Sequence, residues 1–199
     1  MAAWYAALPV WKQLRKMNIQ QDISARELIS TRVNKIDEHF KEINKKVEIY
    51  LQDIWRNIYD QFCDDFIYDP DSINVHWAHD SEKTAIQIIG ILQHQRNSRI
   101  DTETIEKTKE ELSDKLRNLS DSLNSIHAPA SLKGDPEISD EQQKELESIA
   151  KNARINFENV ASSVEAARRN FEKVVQTEIV RMRRRIREID DYLLREHDD

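Results

Sequence analysis

Residues 157–189 read FENVASSVEAARRNFEKVVQTEIVRMRRRIREI, and this stretch decides the fold class. It contains no glycine or proline, and its apolar residues return every three or four positions, which places them on one stripe of an α-helix. The stripe comprises Leu146, Ile149, Ala153, Phe157, Val160, Val164, Ala167, Phe171 and Val174, and then Val175, Ile179, Met182, Ile186, Ile189 and Leu193. The pattern predicts one helix over about residues 139–196, with a length of roughly 90 Å at 1.5 Å per residue. Ser139 and Gln142 have the spacing of a capping box at its start.

Two earlier segments carry the same spacing, so two more long helices are expected. The first is predicted over about residues 22–66, and its stripe comprises Ile29, Val33, Ile36, Phe40, Ile43, Val47, Tyr50 and Ile54. The second is predicted over about 81–126, with Asp80 or Ser81 as its N-cap. The stripe in its last part comprises Leu112, Leu116, Leu119, Leu123 and Ile126. The middle of this second helix, 94–109, is nearly all polar. It is either an exposed mid-section or a bend after which Asp101 or Thr102 restarts the helix.

The composition agrees with a helical protein. Two glycines and four prolines in 199 residues are too few for the many tight turns that a sheet protein needs. Charged residues make up 34% of the chain and the mean hydropathy is -0.76, as is typical of narrow bundles with much surface. We therefore predict an all-α fold, an elongated antiparallel three-helix bundle or coiled coil over residues 19–199. The narrow apolar stripes favour a homodimer.

Several function classes receive no support from the residues. Cys63 is the only cysteine, and no apolar run is long enough to span a bilayer. The first residues lack the pattern of a signal peptide, which favours a cytoplasmic protein. The net charge of -7 argues against nucleic acid as a partner. His76, His79, Asp80 and His94 lack the spacing of known zinc sites, and no phosphate loop or catalytic motif occurs, so neither a metal, a cofactor nor an enzyme is predicted.

The amphipathic segment 1–18 is the first candidate for binding. Trp4, Leu8 and Trp11 share one helical face, Lys12 and Lys16 lie at its edge, and the segment contains no acidic residue. Tryptophan beside lysine in a short helix is typical of a segment that lies in a membrane interface. Pro9 is expected to interrupt this helix. The alternative is that the tryptophans pack on the bundle or form a dimer contact.

A cluster of basic residues on the last helix is the second candidate. Its members are Arg168, Arg169, Lys173, Arg181, Arg183, Arg184, Arg185 and Arg187. Guanidinium groups bind phosphates, so this strip can meet anionic lipid headgroups. The alternative is a solvated face in which Arg184 pairs with Glu188 and Arg187 with Asp191 at a spacing of four residues.

The layout resembles the BAR-domain superfamily. The features that carry the resemblance are the amphipathic stretch Met1 to Met17, three long antiparallel helices in about two hundred residues, and basic residues gathered on one helix. The resemblance implies a crescent-shaped homodimer, peripheral to the membrane, that binds and curves anionic lipid surfaces. The alternative is a soluble coiled-coil adaptor or cytoskeletal scaffold that binds protein partners and no membrane.

Overall fold

A computed structural model describes residues 2–62, 75–94, 102–130 and 139–197 of the chain. These residues form four α-helices, with no strand among them: α1 (Ala2–Phe62), α2 (Val75–His94), α3 (Glu103–Ala130) and α4 (Asp140–His197). The prediction of an all-α fold is confirmed. The expected end of the first helix near residue 66 lies outside the described residues.

Helix α1 begins at Ala2, twenty residues before the predicted start near Asp22. Residues 2–18 are therefore part of α1 and do not form a separate segment. Pro9 lies inside the helix and does not interrupt it. Proline removes only one backbone hydrogen bond there, the one to the carbonyl of Tyr5. The neighbouring alanines and leucine are strong helix formers and carry the helix across this position.

The second predicted helix is two helices. Helix α2 begins at Val75, so Asp80 and Ser81 lie within it rather than at its N-cap. Helix α3 restarts at Thr102, as the second interpretation of the polar segment expected. The Thr102 hydroxyl accepts a hydrogen bond from the backbone N–H of Ile105 (3.4 Å), and its carbonyl accepts one from Glu106 (3.0 Å). Thr102 is therefore the N-cap of α3.

The start of α4 confirms the predicted capping box. The Ser139 backbone N–H donates to Oε1 of Gln142 at 3.0 Å, and the Gln142 N–H donates to the Ser139 hydroxyl at 3.4 Å. Two backbone donors at the helix end thus find partners in each other's side chains. The acidic residues Asp140 and Glu141 follow in the first turn, where the helix dipole favours negative charge.

The chain divides into two compact units. The terminal unit comprises residues 1–39 and 175–199, and the central unit comprises residues 40–174. Helices α1 and α4 contribute residues to both units, whereas α2 and α3 belong to the central unit alone.

In the central unit, α1 and α4 run antiparallel. The ring of Phe40 meets that of Phe171, and the ring of Trp55 meets that of Phe157, each with 5.6 Å between centroids. From Phe40 to Trp55 the chain advances fifteen residues along α1, whereas their partners Phe171 and Phe157 lie fourteen residues apart in the reverse order on α4. The two helices therefore run in opposite directions. An antiparallel bundle of three helices would place the first and last helices parallel, so the prediction of three helices is wrong on this point.

Most of the predicted stripes form the core of the central unit. The buried apolar residues that the spacing identified are Phe40, Ile43, Val47, Tyr50, Ile54, Leu112, Leu116, Leu119, Leu123, Phe157, Val164, Ala167 and Phe171. Helix α2 packs against α3. Ile149 was predicted in the stripe but is 46% exposed, whereas Ile105 and Lys109 are buried within the segment described as polar.

In the terminal unit, Val33 and Ile36 of α1 and Val175, Ile179 and Ile189 of α4 are buried. Arg26 donates from Nε and Nη2 to the two carboxylate oxygens of Asp190. This hydrogen bond, together with the negative charge of Asp190, raises the pKa of Arg26. The contact also fixes which residues of the two helices lie level with one another.

Candidate binding surface

The first part of α1 presents large apolar side chains to solvent. The exposed fractions are 72% for Trp11, 50% for Leu14 and 57% for Met17. Because the three residues are spaced by three, they form a continuous, slowly turning stripe on the helix. Lys12 and Lys16 are exposed in the same segment. Of the predicted face of Trp4, Leu8 and Trp11, only Trp11 belongs to this stripe; Trp4 and Leu8 lie in α1, but their side chains are outside the described set.

The described contact between α1 and α4 in the terminal unit lies further along α1 than this stripe. It joins Arg26 to Asp190, and Arg26 lies nine residues after Met17. Trp11, Leu14 and Met17 precede it and are exposed. The alternative interpretation, that Trp11 packs on the bundle, is wrong for the described part of the chain.

The arginines of α4 divide into paired and unpaired groups. Arg181 pairs with Glu178 at 3.7 Å, and Arg185 pairs with Glu188 at 3.1 Å. Arg183, Arg184 and Arg187 are exposed, and none of them forms an ion pair with a described residue. The pairs of the alternative interpretation, Arg184–Glu188 and Arg187–Asp191, do not form, and the Glu188 carboxylate pairs with Arg185 instead of Arg184.

Two apolar residues that the sequence analysis missed share the arginine face. Val180 is 52% exposed and Leu194 is 65% exposed. Val180 lies four residues before Arg184, and Leu194 lies seven residues after Arg187, so all four point to one side of α4. The signal that could have found them is their position off the buried stripe of Ile179 and Ile189.

Arg168 belongs to the core packing of the central unit rather than to an exposed basic strip. Its side chain is 16% exposed and donates to both carboxylate oxygens of Glu165 and to Oδ1 of Asn44 on α1, the last at 2.6 Å. Arg169 is exposed and also donates to Glu165 at 2.9 Å. Lys173 is exposed, in the same unit. The structure thus separates these three residues from the arginines of the terminal unit.

The two guanidinium groups hold Glu165 as an anion. The hydrogen bond from Arg168 makes the largest contribution, that from Arg169 adds to it, and together they outweigh burial and lower the pKa of the carboxyl to about 2. Glu165 is therefore ionised at any physiological pH, so it has no proton to exchange in acid–base catalysis.

Charge is divided unevenly between the two units. The terminal unit contains twelve basic and eleven acidic residues, whereas the central unit contains eighteen basic and twenty-six acidic residues. The net charge of -7 thus originates in the central unit, and the candidate surface lies in the unit that is close to neutral. A whole-chain charge hides this division.

Other kinds of site were sought on the described residues. His76, His79, Asp80 and His94 all lie in α2, and no group of three or more His, Cys, Asp or Glu in the described part could hold a metal ion. None of the helices, over the residues described, has an apolar stretch long enough to cross a bilayer. Comparison with protein-family models, with curated proteins and with solved structures finds no match to this chain.

Proposed function

We propose that the chain is a non-enzymatic, self-associating helical scaffold whose terminal unit binds anionic membrane surfaces. The observation that carries the proposal is the exposed stripe of Trp11, Leu14 and Met17, with Lys12 and Lys16 on the opposite, polar side of the helix. A helix of this kind binds a lipid surface by burying its apolar face among the headgroups while its lysines stay at the anionic interface.

The arginine face of α4 supplies the electrostatic part. Arg183, Arg184 and Arg187 are exposed and form no ion pair with a described residue, so their charges are available to lipid phosphates. Each basic residue near an anionic surface contributes about 1 kcal/mol. Because the terminal unit is nearly neutral overall, its local basic faces meet less repulsion than a whole-chain charge of -7 implies.

The proposal keeps the lipid binding and the self-association that the BAR resemblance implies, but it does not need that family's three-helix arrangement. In the terminal unit, we propose that α1 and α4 pair as an antiparallel coiled coil. This coiled coil presents the apolar stripe of α1 and the arginine face of α4 to lipid. The alternative function is an adaptor that binds protein partners and no membrane. Leu28, which is 71% exposed on α1, is the observation that favours it.

Co-sedimentation with vesicles tests the proposal. The full chain is mixed with vesicles of phosphatidylcholine alone or with phosphatidylserine, at 0.1 M and 1 M salt. We expect binding only to the anionic vesicles, and weaker binding at 1 M, where the Debye length falls from about 10 Å to about 3 Å. Replacing Arg183, Arg184 and Arg187 with Glu should remove the part of the vesicle binding that weakens with salt.

A matched control separates lipid insertion from a general loss of apolar surface. Trp11→Ala should weaken vesicle binding at both salt concentrations, because it removes inserted apolar area. Ile86→Ala changes a residue of α2 that is 60% exposed in the central unit, and vesicle binding should be unchanged. A folded wild-type chain that binds none of the vesicles would leave the adaptor as the better account.

A further inference from the structure

The ion pair between Arg26 and Asp190 marks one side of the terminal unit. The two side chains are 43% and 37% exposed, so the pair lies at the edge of the contact between α1 and α4. Each partner also lies at the edge of the buried stripe of its own helix, next to Val33 on α1 and Ile189 on α4. The surfaces of α1 and α4 that extend outward from this pair therefore lie on the same side of the unit. We call this surface the ion-pair side.

The exposed apolar stripe of α1 lies on the opposite side of the terminal unit. At roughly 100° per residue, Met17 and Leu28 are turned by about 180° and 200° from Arg26 around the helix axis. Leu14 lies near them, and the buried Ile36 lies between this stripe and Arg26. Met17 is 57% exposed and Leu28 is 71% exposed. The apolar stripe and the ion-pair side are thus separated by the contact between the helices.

Arginines and apolar residues of α4 share the ion-pair side. Around the axis of α4, Arg183, Leu194 and Arg187 lie about 20°, 40° and 60° from Asp190, turned away from the buried stripe. Val180 lies at about 80° in the same direction. Val180 is 52% exposed and Leu194 is 65% exposed, so apolar side chains flank the exposed arginines at both ends.

Lysines of α1 add to the positive charge of this side. Lys12 and Lys16 lie about 40° and 80° from Arg26, also turned away from the buried stripe. Exposed carboxylates are fewer than exposed cations over the ion-pair side. The exposed basic residues are Lys12, Lys16, Arg183, Arg184 and Arg187, and the exposed acidic residues are Glu27, Glu38 and Asp191.

We propose that the terminal unit binds two anionic lipid surfaces at once, one on each side, so that the chain bridges two membranes. The inference rests on the lipid binding in the proposed function and adds a second lipid contact to it. The apolar stripe of α1 is buried in one surface, whereas Arg183 and Arg187 meet the phosphates of the other. Lipid fits the ion-pair side because basic residues beside exposed Val180 and Leu194 have the composition of a helix face at a lipid interface.

Vesicle clustering tests the bridging. The full chain is added at low salt to unilamellar vesicles of phosphatidylcholine and phosphatidylserine. Dynamic light scattering measures the mean diameter, and co-sedimentation measures the bound fraction of the same samples. Wild type should raise the diameter at least threefold. Arg183→Glu combined with Arg187→Glu should leave protein bound through the apolar stripe, but at equal amounts of bound protein the diameter should stay that of free vesicles.

A matched control carries the same charge change in the central unit. Lys41→Glu combined with Lys45→Glu alters two exposed lysines of α1 and should cluster vesicles as wild type does. Clustering by the arginine variant equal to that of wild type would overturn the inference. Wild type that binds vesicles without clustering them would also overturn it, leaving the ion-pair side to an acidic protein and the proposed function intact. Wild type that binds no vesicles would remove both.

Discussion

Phe40 of α1 and Phe171 of α4 meet edge to face, with 5.6 Å between ring centroids and 60° between ring planes. Both side chains are buried, at 6% and 1% exposure. Together with Trp55 and Phe157, the pair defines the antiparallel register of α1 and α4 in the central unit. That register determines which residues of the two helices lie level in the core of the central unit.

Removing one ring tests this packing. Phe171→Ala should lower the free energy of unfolding by about 3–5 kcal/mol, because it deletes a fully buried aromatic side chain and leaves a cavity. Val180→Ala, at an exposed position of the same helix, should change it by less than about 0.5 kcal/mol. Urea denaturation followed by circular dichroism measures both. Equal small effects would mean that the buried face of α4 is assigned incorrectly.

The lowered pKa of Glu165 predicts that the stability of the fold decreases in acid. Its folded pKa of about 2 lies below the ordinary value of 4.5, so its pairing stabilises the fold fully above about pH 4.5. This contribution is lost as the pH falls from 4.5 to about 2. Glu165→Gln should be less stable than wild type at pH 7, and the two melting temperatures should converge toward pH 2. A constant difference at every pH would exclude this linkage.

Removing the Tyr50 hydroxyl should not lower the stability of the fold. It is buried and has no hydrogen-bond partner among the described residues, and burial raises the pKa of the phenol. A buried polar group without a partner carries its full desolvation cost. Tyr50→Phe should therefore melt at the same temperature as wild type or higher, whereas Tyr50→Ala should melt lower because it leaves a cavity. A marked loss of stability in Tyr50→Phe would reveal a partner for the hydroxyl.

The apolar spacing predicted the core well, because a period near 3.6 places residues such as Ile43, Leu116 and Phe171 on one side of their helices. The capping residues Thr102 and Ser139 were also identifiable, since caps are local. The direction of α4 relative to α1 was not predictable, because it depends on whether the polar segment 94–109 continues a helix or breaks it. Local composition is compatible with both.

The candidate surface was only partly predictable for a similar reason. A helical wheel places Trp11 and Lys12 on an amphipathic segment, but exposure depends on whether another helix lies beside them. That depends on contacts between distant parts of the chain, such as the one that joins Arg26 to Asp190, 164 positions apart. Arg168 shows the converse: its sequence context suggests a basic strip, yet its contacts to Glu165 and Asn44 place it between helices.

The most direct test of the central claim is quenching of Trp11 fluorescence by brominated lipid. The chain is prepared with Trp11 as its only tryptophan, by changing Trp4, Trp55 and Trp77 to Phe, and circular dichroism verifies that it is folded. A second chain that retains only Trp55 is the control. On vesicles containing phosphatidylserine and brominated acyl chains, the account predicts strong quenching of Trp11 and none of Trp55. Unquenched Trp11 emission from folded protein on these vesicles would contradict the claim that this segment inserts into the lipid surface.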